Sequence, residues 1–258
     1  MSDTPLGRYR YFLYLAYDGS AYHGWQRQPN GLSVQQCLEE ALSLLLRRET
    51  AVTGAGRTDT GVHARLMVAH FDTSVPLTNL EAWRHHLNCI LPPDIAISCI
   101  RPVTSEAHSR FDALSRTYRY YISYAKNPFA GRYRWYLSGQ RLDVAAMNEA
   151  AALLRRHDDF TSFSKTHTDV KNFRCRITCA RWEERGDELV FTITADRFLR
   201  NMVRAIVGTL VDIGRGKLPV TDFLPILEAR DRRCAGVSAP ACALFLTDIT
   251  YPETLFLP

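Results

Sequence analysis

Lysine is almost absent from this chain. Of the 32 basic residues only Lys126, Lys165, Lys171 and Lys217 are lysines, and the rest are arginine. No apolar run approaches the roughly 20 residues that a membrane-spanning helix needs. The segment Met1–Arg10 lacks the apolar stretch of a secretory signal. The seven cysteines, at 37, 89, 99, 175, 179, 234 and 242, are odd in number and contain no C-x-x-C. Cys175 and Cys179 are the closest pair, and neither a second pair nor a nearby histidine stands at zinc-ligand spacing. A disulfide scaffold and a zinc ribbon are therefore excluded. Reduced, mostly buried thiols, no metal site and a cytoplasmic protein are the expectation. There is also no G-x-x-x-x-G-K-[ST] loop and no G-x-G-x-x-G after a strand, so no nucleotide or redox cofactor is indicated.

What is present is an ordinary globular composition, 46% apolar and 23% charged over 258 residues. The net charge is +5. An arginine-rich chain with 11% aromatics suits RNA, because guanidinium groups bind phosphate bidentately and stack on bases. Biased codon usage produces the same skew. The clusters Arg116/Arg119, Arg132/Arg134, Arg155/Arg156, Arg197/Arg200/Arg204 and Arg230/Arg232/Arg233 are spread through the chain. A nucleic-acid surface would have to be assembled from several parts of a folded domain.

Two halves of similar plan are predicted, joined near Pro102 to Ala113, with no residue-level repeat between them. In the first, Tyr9–Tyr17 reads as a central strand, largely apolar or aromatic on both faces. A helix over Val34–Arg47 has Ser33 as cap and Gln36 completing a capping box. Leu66–Phe71 is a strand. Asn79–Asn88 is a helix with a Thr78/Glu81 capping box, stopped by Pro92-Pro93. Ile95–Arg101 is a strand. In the second half Ser115–Tyr124 is a strand and Asp143 caps a helix to Arg156. Arg174–Glu183 and Glu188–Ala195 form a hairpin about Arg185-Gly186-Asp187. An apolar helix covers Leu199–Ile213, Pro219–Arg230 carries another, and Ala243–Tyr251 is the last strand. This pattern is α+β: antiparallel sheets with helices on one face.

The segment Gly54-Ala55-Gly56-Arg57-Thr58-Asp59-Thr60-Gly61-Val62-His63-Ala64 carries the chemistry. Its glycines permit a tight, irregular loop around one carboxylate and one guanidinium. A carboxylate held there can serve as nucleophile or general base. Taken alone, an aspartate in a glycine-rich turn more often closes an Asx-turn through its own backbone.

The remainder of the chain changes that reading. This loop resembles the active-site loop of the tRNA pseudouridine synthases of the TruA family, G-R-T-D-x-G-V-H-A. Tyr17-Asp18-Gly19-Ser20-Ala21-Tyr22-His23-Gly24-Trp25-Gln26-Arg27-Gln28 is similar to that family's N-terminal signature, and Ser115-Arg116-Thr117-Tyr118-Arg119-Tyr120 to its S-R-x-Y-R-Y strand. Phe198 to Leu210 is similar to its F-L-x-x-M-V-R-x-I-V-G helix. Ala239-Pro240-Ala241 with Leu244 and Leu246 is similar to its A-P-A-x-G-L-x-L ending. The blocks keep their order from about Tyr9 to Tyr251.

The resemblance implies two similar α/β halves joined into one extended sheet with a central basic cleft. Residues 1–104 would carry the catalytic aspartate loop, and residues 105–258 the stacking tyrosine and the arginine helix. It implies isomerisation of uridine to pseudouridine at nucleotides thirty-eight to forty of the tRNA anticodon arm, by a homodimer without cofactor or metal. Asp59 would be the catalytic residue. Arg57 would fill the space left by the extruded nucleotide, Tyr118 would stack on the flipped uracil, Arg204 would pair with the catalytic aspartate, and Leu244 would lie against the base. Tyr120 and Tyr124, at alternating spacing with Tyr118, read as core. Arg200, Arg204 and Gly208 form an i, i+4, i+8 stripe on the apolar helix, and a buried arginine there needs a partner. His63 reads as a hydrogen-bonding scaffold. Where the family has glycine before the leucine of its last block, this chain has Ala243, which would be strained if the site needs positive φ. Two other functions stay open. A catalytically silent RNA chaperone on the same fold is opposed by the intact Asp59, Tyr118 and Arg204. A small-molecule glycosidase typically needs two carboxylates, and the loop offers one.

Overall fold

Nine residues that are aromatic or aliphatic apart from Arg10 make Tyr9–Tyr17 the first strand, β1, with the predicted bounds. In the computed structural model, which describes residues 8–139, 141–166 and 172–258, nine strands and five α-helices form an α+β architecture. The N-terminal residues up to Gly7 and Lys171 lie outside the described residues. The chain divides into two units, one formed by Met1–Leu114 with Thr247–Pro258 and the other by Ser115–Leu246.

In the first unit β1 is central. It pairs antiparallel with β3 (His63–Thr73) on one side and β4 (Ile95–Val103) on the other. A two-residue strand, β2 (Thr53–Gly54), pairs with the far edge of β3, Thr53 opposite His70. Helix α1 (Val34–Leu46) buries Val34, Cys37, Leu38, Ala41 and Leu42 and packs on α2 (Leu80–Ile90), which packs on β4. Ser33 caps α1 by accepting from the Gln36 N–H, and the reciprocal half of the expected capping box is not made: the Gln36 amide donates to Glu40. At α2 the cap is Asn79, held at φ 53 and accepting from Ala82 N–H, in place of Thr78; Glu81 instead binds Arg84. The C-terminal residues return to this unit. The Phe12 ring meets Tyr251 at 5.1 Å and Phe256 at 6.1 Å, and Thr104 N–H donates to Leu255 O.

In the second unit β5 (Ser115–Ser123), β8 (Glu188–Ala195) and β7 (Ile177–Arg185) form an antiparallel sheet in that order. The β7–β8 hairpin turns at Gly186, φ 63. A strand not foreseen from the sequence, β6 (Trp135–Tyr136), runs parallel to the end of β5. Helix α3 (Val144–Leu153) is capped by Asp143 and ends in a 3₁₀ turn at Leu154–Arg156. It packs on β7 and on α4 (Met202–Gly214). Trp182 and Phe191, 4.8 Å apart, anchor the sheet side of this core. Helix α5 is shorter than predicted, Phe223–Glu228 after a 3₁₀ turn. The last strand, β9 (Leu244–Thr250), begins in the second unit and ends in the first.

Two expectations need correcting. The thiols are not mostly buried: only Cys37 and Cys175 are, while Cys89 and Cys234 are exposed. The arginine stripe also fails, because α4 starts at Met202. Asn201 takes the left-handed conformation at φ 65, which leaves Arg200 in the preceding turn with its carbonyl accepting from Lys165 N–H.

Candidate active site

Within the first unit the chain leaves the sheet after Gly54 and Ala55, whose N–H still bonds Val68 O at 2.8 Å. It returns at His63. Between these points Val62 N–H donates to Asp59 O at 3.1 Å, closing a four-residue turn with Gly61 third at φ 75. A turn with positive φ at that position is open to glycine and strained for most other residues. Asp59 is half-buried and Arg57 is exposed.

The N-terminal signature braces this loop. Trp25 N–H donates to Thr58 O at 3.2 Å, and the Tyr17 and Thr58 hydroxyls are 2.9 Å apart in the interior. Gly24, at φ 86, lies with its Cα against the main chain of Thr58, Asp59 and Thr60, where a Cβ would collide with the Thr58 carbonyl. Gly19 lies equally close to the Val62 carbonyl, and Gly54 to the buried Trp25 ring. The residues on both sides of Asp59 are thus wedged by backbone-to-backbone contact, which only glycine permits at that distance. His63 is buried, with Nδ1 2.9 Å from Asp18 Oδ1 and 3.0 Å from the Gly19 nitrogen, which donates to it. Asp18 Oδ1 also accepts from Ser20 N–H and Oγ–H. His63 therefore ties the start of β3 to the signature turn, as a scaffold residue should.

In the second unit three tyrosines on or after β5 separate by environment. Tyr120 is fully buried and donates to Pro240 O at 2.9 Å, and burial pushes its hydroxyl pKa well up. The Tyr124 hydroxyl accepts from Leu142 N–H, and Arg141 lies 5.1 Å from its ring. Tyr118 is half-buried, with its ring edge-to-face on Phe198 at 5.1 Å. Arg204, in the first turn of α4, donates from Nε to Ala239 O at 2.7 Å, and its own carbonyl accepts from Ala239 N–H. The Ala239-Pro240 pair thereby links Arg204 to Tyr120. Gly208, one turn on, admits the Val237 carbonyl closer than a Cβ would allow. Leu244 is buried at the head of β9. Ala243 lies in a 3₁₀ turn and is not among the residues at positive φ, so the strain considered for it does not arise.

The arginine clusters also separate. Arg134, Arg230 and Arg233 are paired with Glu188, Asp159 and Asp231. Arg232 holds Ala235 O and Ser238. Arg57, Arg155, Arg156 and Arg200 are exposed. The support of the candidate loop was not foreseen from the sequence: Tyr17, Trp25 and Thr58 carry no charge pattern. Their only signal was position inside the two signature blocks.

The family model for tRNA pseudouridine synthase matches residues 14–112 and 150–252. Curated proteins named tRNA pseudouridine synthase A match almost end to end. The chain is 57% identical to the one from Parabacteroides distasonis over 96% of its own length and 98% of the relative's. It is 57% identical to that of Bacteroides thetaiotaomicron, covering 96% and 92%. It is 41% identical to that of Alcanivorax borkumensis, covering 96% and 94%. The chain belongs to the tRNA pseudouridine synthase family, a family of isomerases. Among the described residues no helix is long and apolar enough to cross a membrane.

Proposed function

We propose that this chain converts uridine to pseudouridine at positions 38, 39 and/or 40 in the anticodon stem and loop of tRNA. The N1–C1′ bond breaks, the uracil turns, and C5 bonds to C1′; the C5 proton is lost and N1 gains one. No atom or electron is added, so no redox cofactor or nucleotide is called for. Asp59 is the catalytic carboxylate, either attacking C1′ or removing the C2′ proton. Tyr118 stacks on the flipped base, where a stack is worth about 1–3 kcal/mol. Arg204 serves RNA binding, Leu244 lies against the base, and Arg57 occupies the vacated position in the RNA. The enzyme acts as a cytoplasmic homodimer, since one small subunit does not span both the tRNA body and its anticodon arm.

The observation that carries this reading is the bracing of Asp59. Its neighbours are locked by three glycines, a buried tryptophan and a buried hydroxyl pair, while the carboxylate residue itself stays half-exposed. Such bracing supports reading Asp59 as a group held for chemistry. Asp59→Asn is expected to abolish pseudouridine formation while tRNA affinity changes by less than about tenfold, because phosphate contacts dominate affinity. Pseudouridine mapping on an unmodified tRNA transcript measures the first and filter binding the second. Turnover above a few per cent in the purified variant would remove Asp59 from the mechanism.

A further inference from the structure

The stretch Tyr124–Arg134 is a closed loop. β6 returns beside the end of β5, with Ile122 opposite Trp135 and Ser123 opposite Tyr136, and Leu137 N–H donates to Ser123 O at 3.0 Å. Loops whose ends are pinned together in this way are frequently functional. The base is anchored: Tyr124 N–H donates to Asp187 O, Arg134 Nε donates to Glu188 at 2.7 Å with its guanidinium 4.4 Å from the Tyr121 ring, and Tyr133 meets Phe245. The tip is also ordered. Asn127 Oδ1 accepts from Phe129 N–H at 2.9 Å and Ala130 N–H at 3.2 Å, and Asn127 O accepts from Gly131 N–H at 2.7 Å.

This built tip holds Phe129 in solvent. At 94% exposure it is the most exposed large apolar side chain among the described residues. Lys126 and Arg132, both exposed, flank it, and no aspartate or glutamate occurs from Tyr124 to Tyr136. A lone ring of roughly 200 Å² is far short of the roughly 800 Å² per partner that a stable protein interface buries. It is sufficient for one nucleobase, and the cations beside it suit the phosphates on either side of that base.

We propose that Phe129 stacks on an unpaired nucleobase of the tRNA while Lys126 and Arg132 contact the adjoining phosphates, a binding element apart from Asp59 and Tyr118. The inference rests on tRNA being the substrate. Its test measures binding in the Asp59→Asn background, so that it does not depend on turnover. Phe129→Ala is expected to weaken binding of an unmodified tRNA transcript about tenfold, Phe129→Leu by a similar factor, and Phe129→Tyr by less than about threefold, because the ring makes the contact. The emission of Phe129→Trp should be quenched on adding tRNA. Lys126→Glu with Arg132→Glu should reduce the slope of log K against log salt by about 0.7–0.9 for each contact removed. In catalytically intact protein the Phe129→Ala loss should fall in KM rather than in kcat. Wild-type affinity in Phe129→Ala or in Phe129→Leu overturns the stacking role. A dimer that dissociates in Phe129→Ala by light scattering assigns the ring to a contact between copies and overturns it too. Absence of pseudouridine from tRNA treated with the wild-type enzyme would instead reject the function proposed above.

Discussion

The aspartate loop and the arginine helix are held in their own units by different means. Around Asp59 the main chain of one signature lies directly on the main chain of another, at Gly19 and Gly24, with Gly61 making the turn. Around Arg204 most of the support comes from side chains that reach the chain at 235–240. Arg204 binds Ala239, Asn201 binds Ser238 at 2.6 Å, and Thr209 accepts from Gly236 N–H at 2.9 Å, with close main-chain approaches only at Gly208, against Val237, and at Gly236, against Thr209. Backbone contact at glycine fails abruptly when a single Cβ is added. Side-chain hydrogen bonds can be removed one at a time. The loop should therefore respond to substitution as a switch and the helix as a graded support.

The sharpest way to break this contrast is at the glycines. Gly24→Ala adds a Cβ against the Thr58 carbonyl at a positive φ, whereas Gly56→Ala, in the same loop, meets nothing within 4 Å. Displacing a catalytic group by about 1 Å costs on the order of a hundredfold. Gly24→Ala is accordingly expected to lose at least about that factor in kcat/KM, with Gly56→Ala close to wild type. Single-turnover pseudouridine assays on both, with circular dichroism to confirm folding, decide it. Equal loss in the two variants would mean that the loop is not wedged from the Gly24 side.

Much of this was legible in the sequence. The largely apolar and aromatic run of Tyr9–Tyr17 and the polar-then-apolar starts at Ser33 and Asp143 are local signals, and the structure follows them. What was hidden depended on choices between near-equal neighbours or on distant partners. Thr78 and Asn79 can both cap, and the left-handed backbone at Asn79 decides between them. The same conformation at Asn201 detaches Arg200 from α4. The two-residue parallel pairing of β6 has no periodicity to read. The candidate site was legible as residues but not as a structure: the Tyr17–Thr58 pair is 41 positions apart, and no local pattern joins a tyrosine to a threonine.

Acid sensitivity offers a second contrast. His70, opposite Thr53 at the root of the aspartate loop, is buried, and its Nδ1 lies 2.9 Å from Ser109 Oγ, which donates to Thr53 O. Burial, then the His108 ring beside it and Arg8, lower its pKa to about 4 against the opposing pull of Asp72 and Asp112. The unfolded chain, with a histidine near 6.5, binds more protons between these values. Stability is thus fully present above about pH 6.5 and is lost as pH falls towards 4, by about 3 kcal/mol at the limit. In the second unit the described histidine, His157, is only half-buried. Hydrogen exchange at pH 7 and pH 4.5 should show loosening at β2 and β3 before β7 and β8. His70→Gln should flatten the dependence, and equal loosening of both units at pH 4.5 would count against it.

The smallest expected effects test the contrast most closely. Tyr17→Phe removes one hydroxyl and keeps the ring beside Trp25 at 6.2 Å, so packing survives while Thr58 loses its partner. Thr209→Val keeps shape and burial but deletes the bonds to Gly236 N–H and Ala205 O. At about 1 kcal/mol for each bond, Tyr17→Phe costs about 1 kcal/mol and Thr209→Val about 2 kcal/mol. The cost should appear in different places. Thr58 adjoins Asp59, so Tyr17→Phe should lower kcat by about fivefold, the rate equivalent of that energy, with little change in Tm. Thr209 lies deep in α4, a turn beyond Arg204, so Thr209→Val should lower Tm by about 4–8 °C for a chain of this size and leave the rate per folded molecule near wild type. Thermal unfolding and single-turnover rates on the two variants separate these outcomes. If Thr209→Val slows catalysis more than Tyr17→Phe does, the helix and not the loop is the finely set element, and the contrast is reversed.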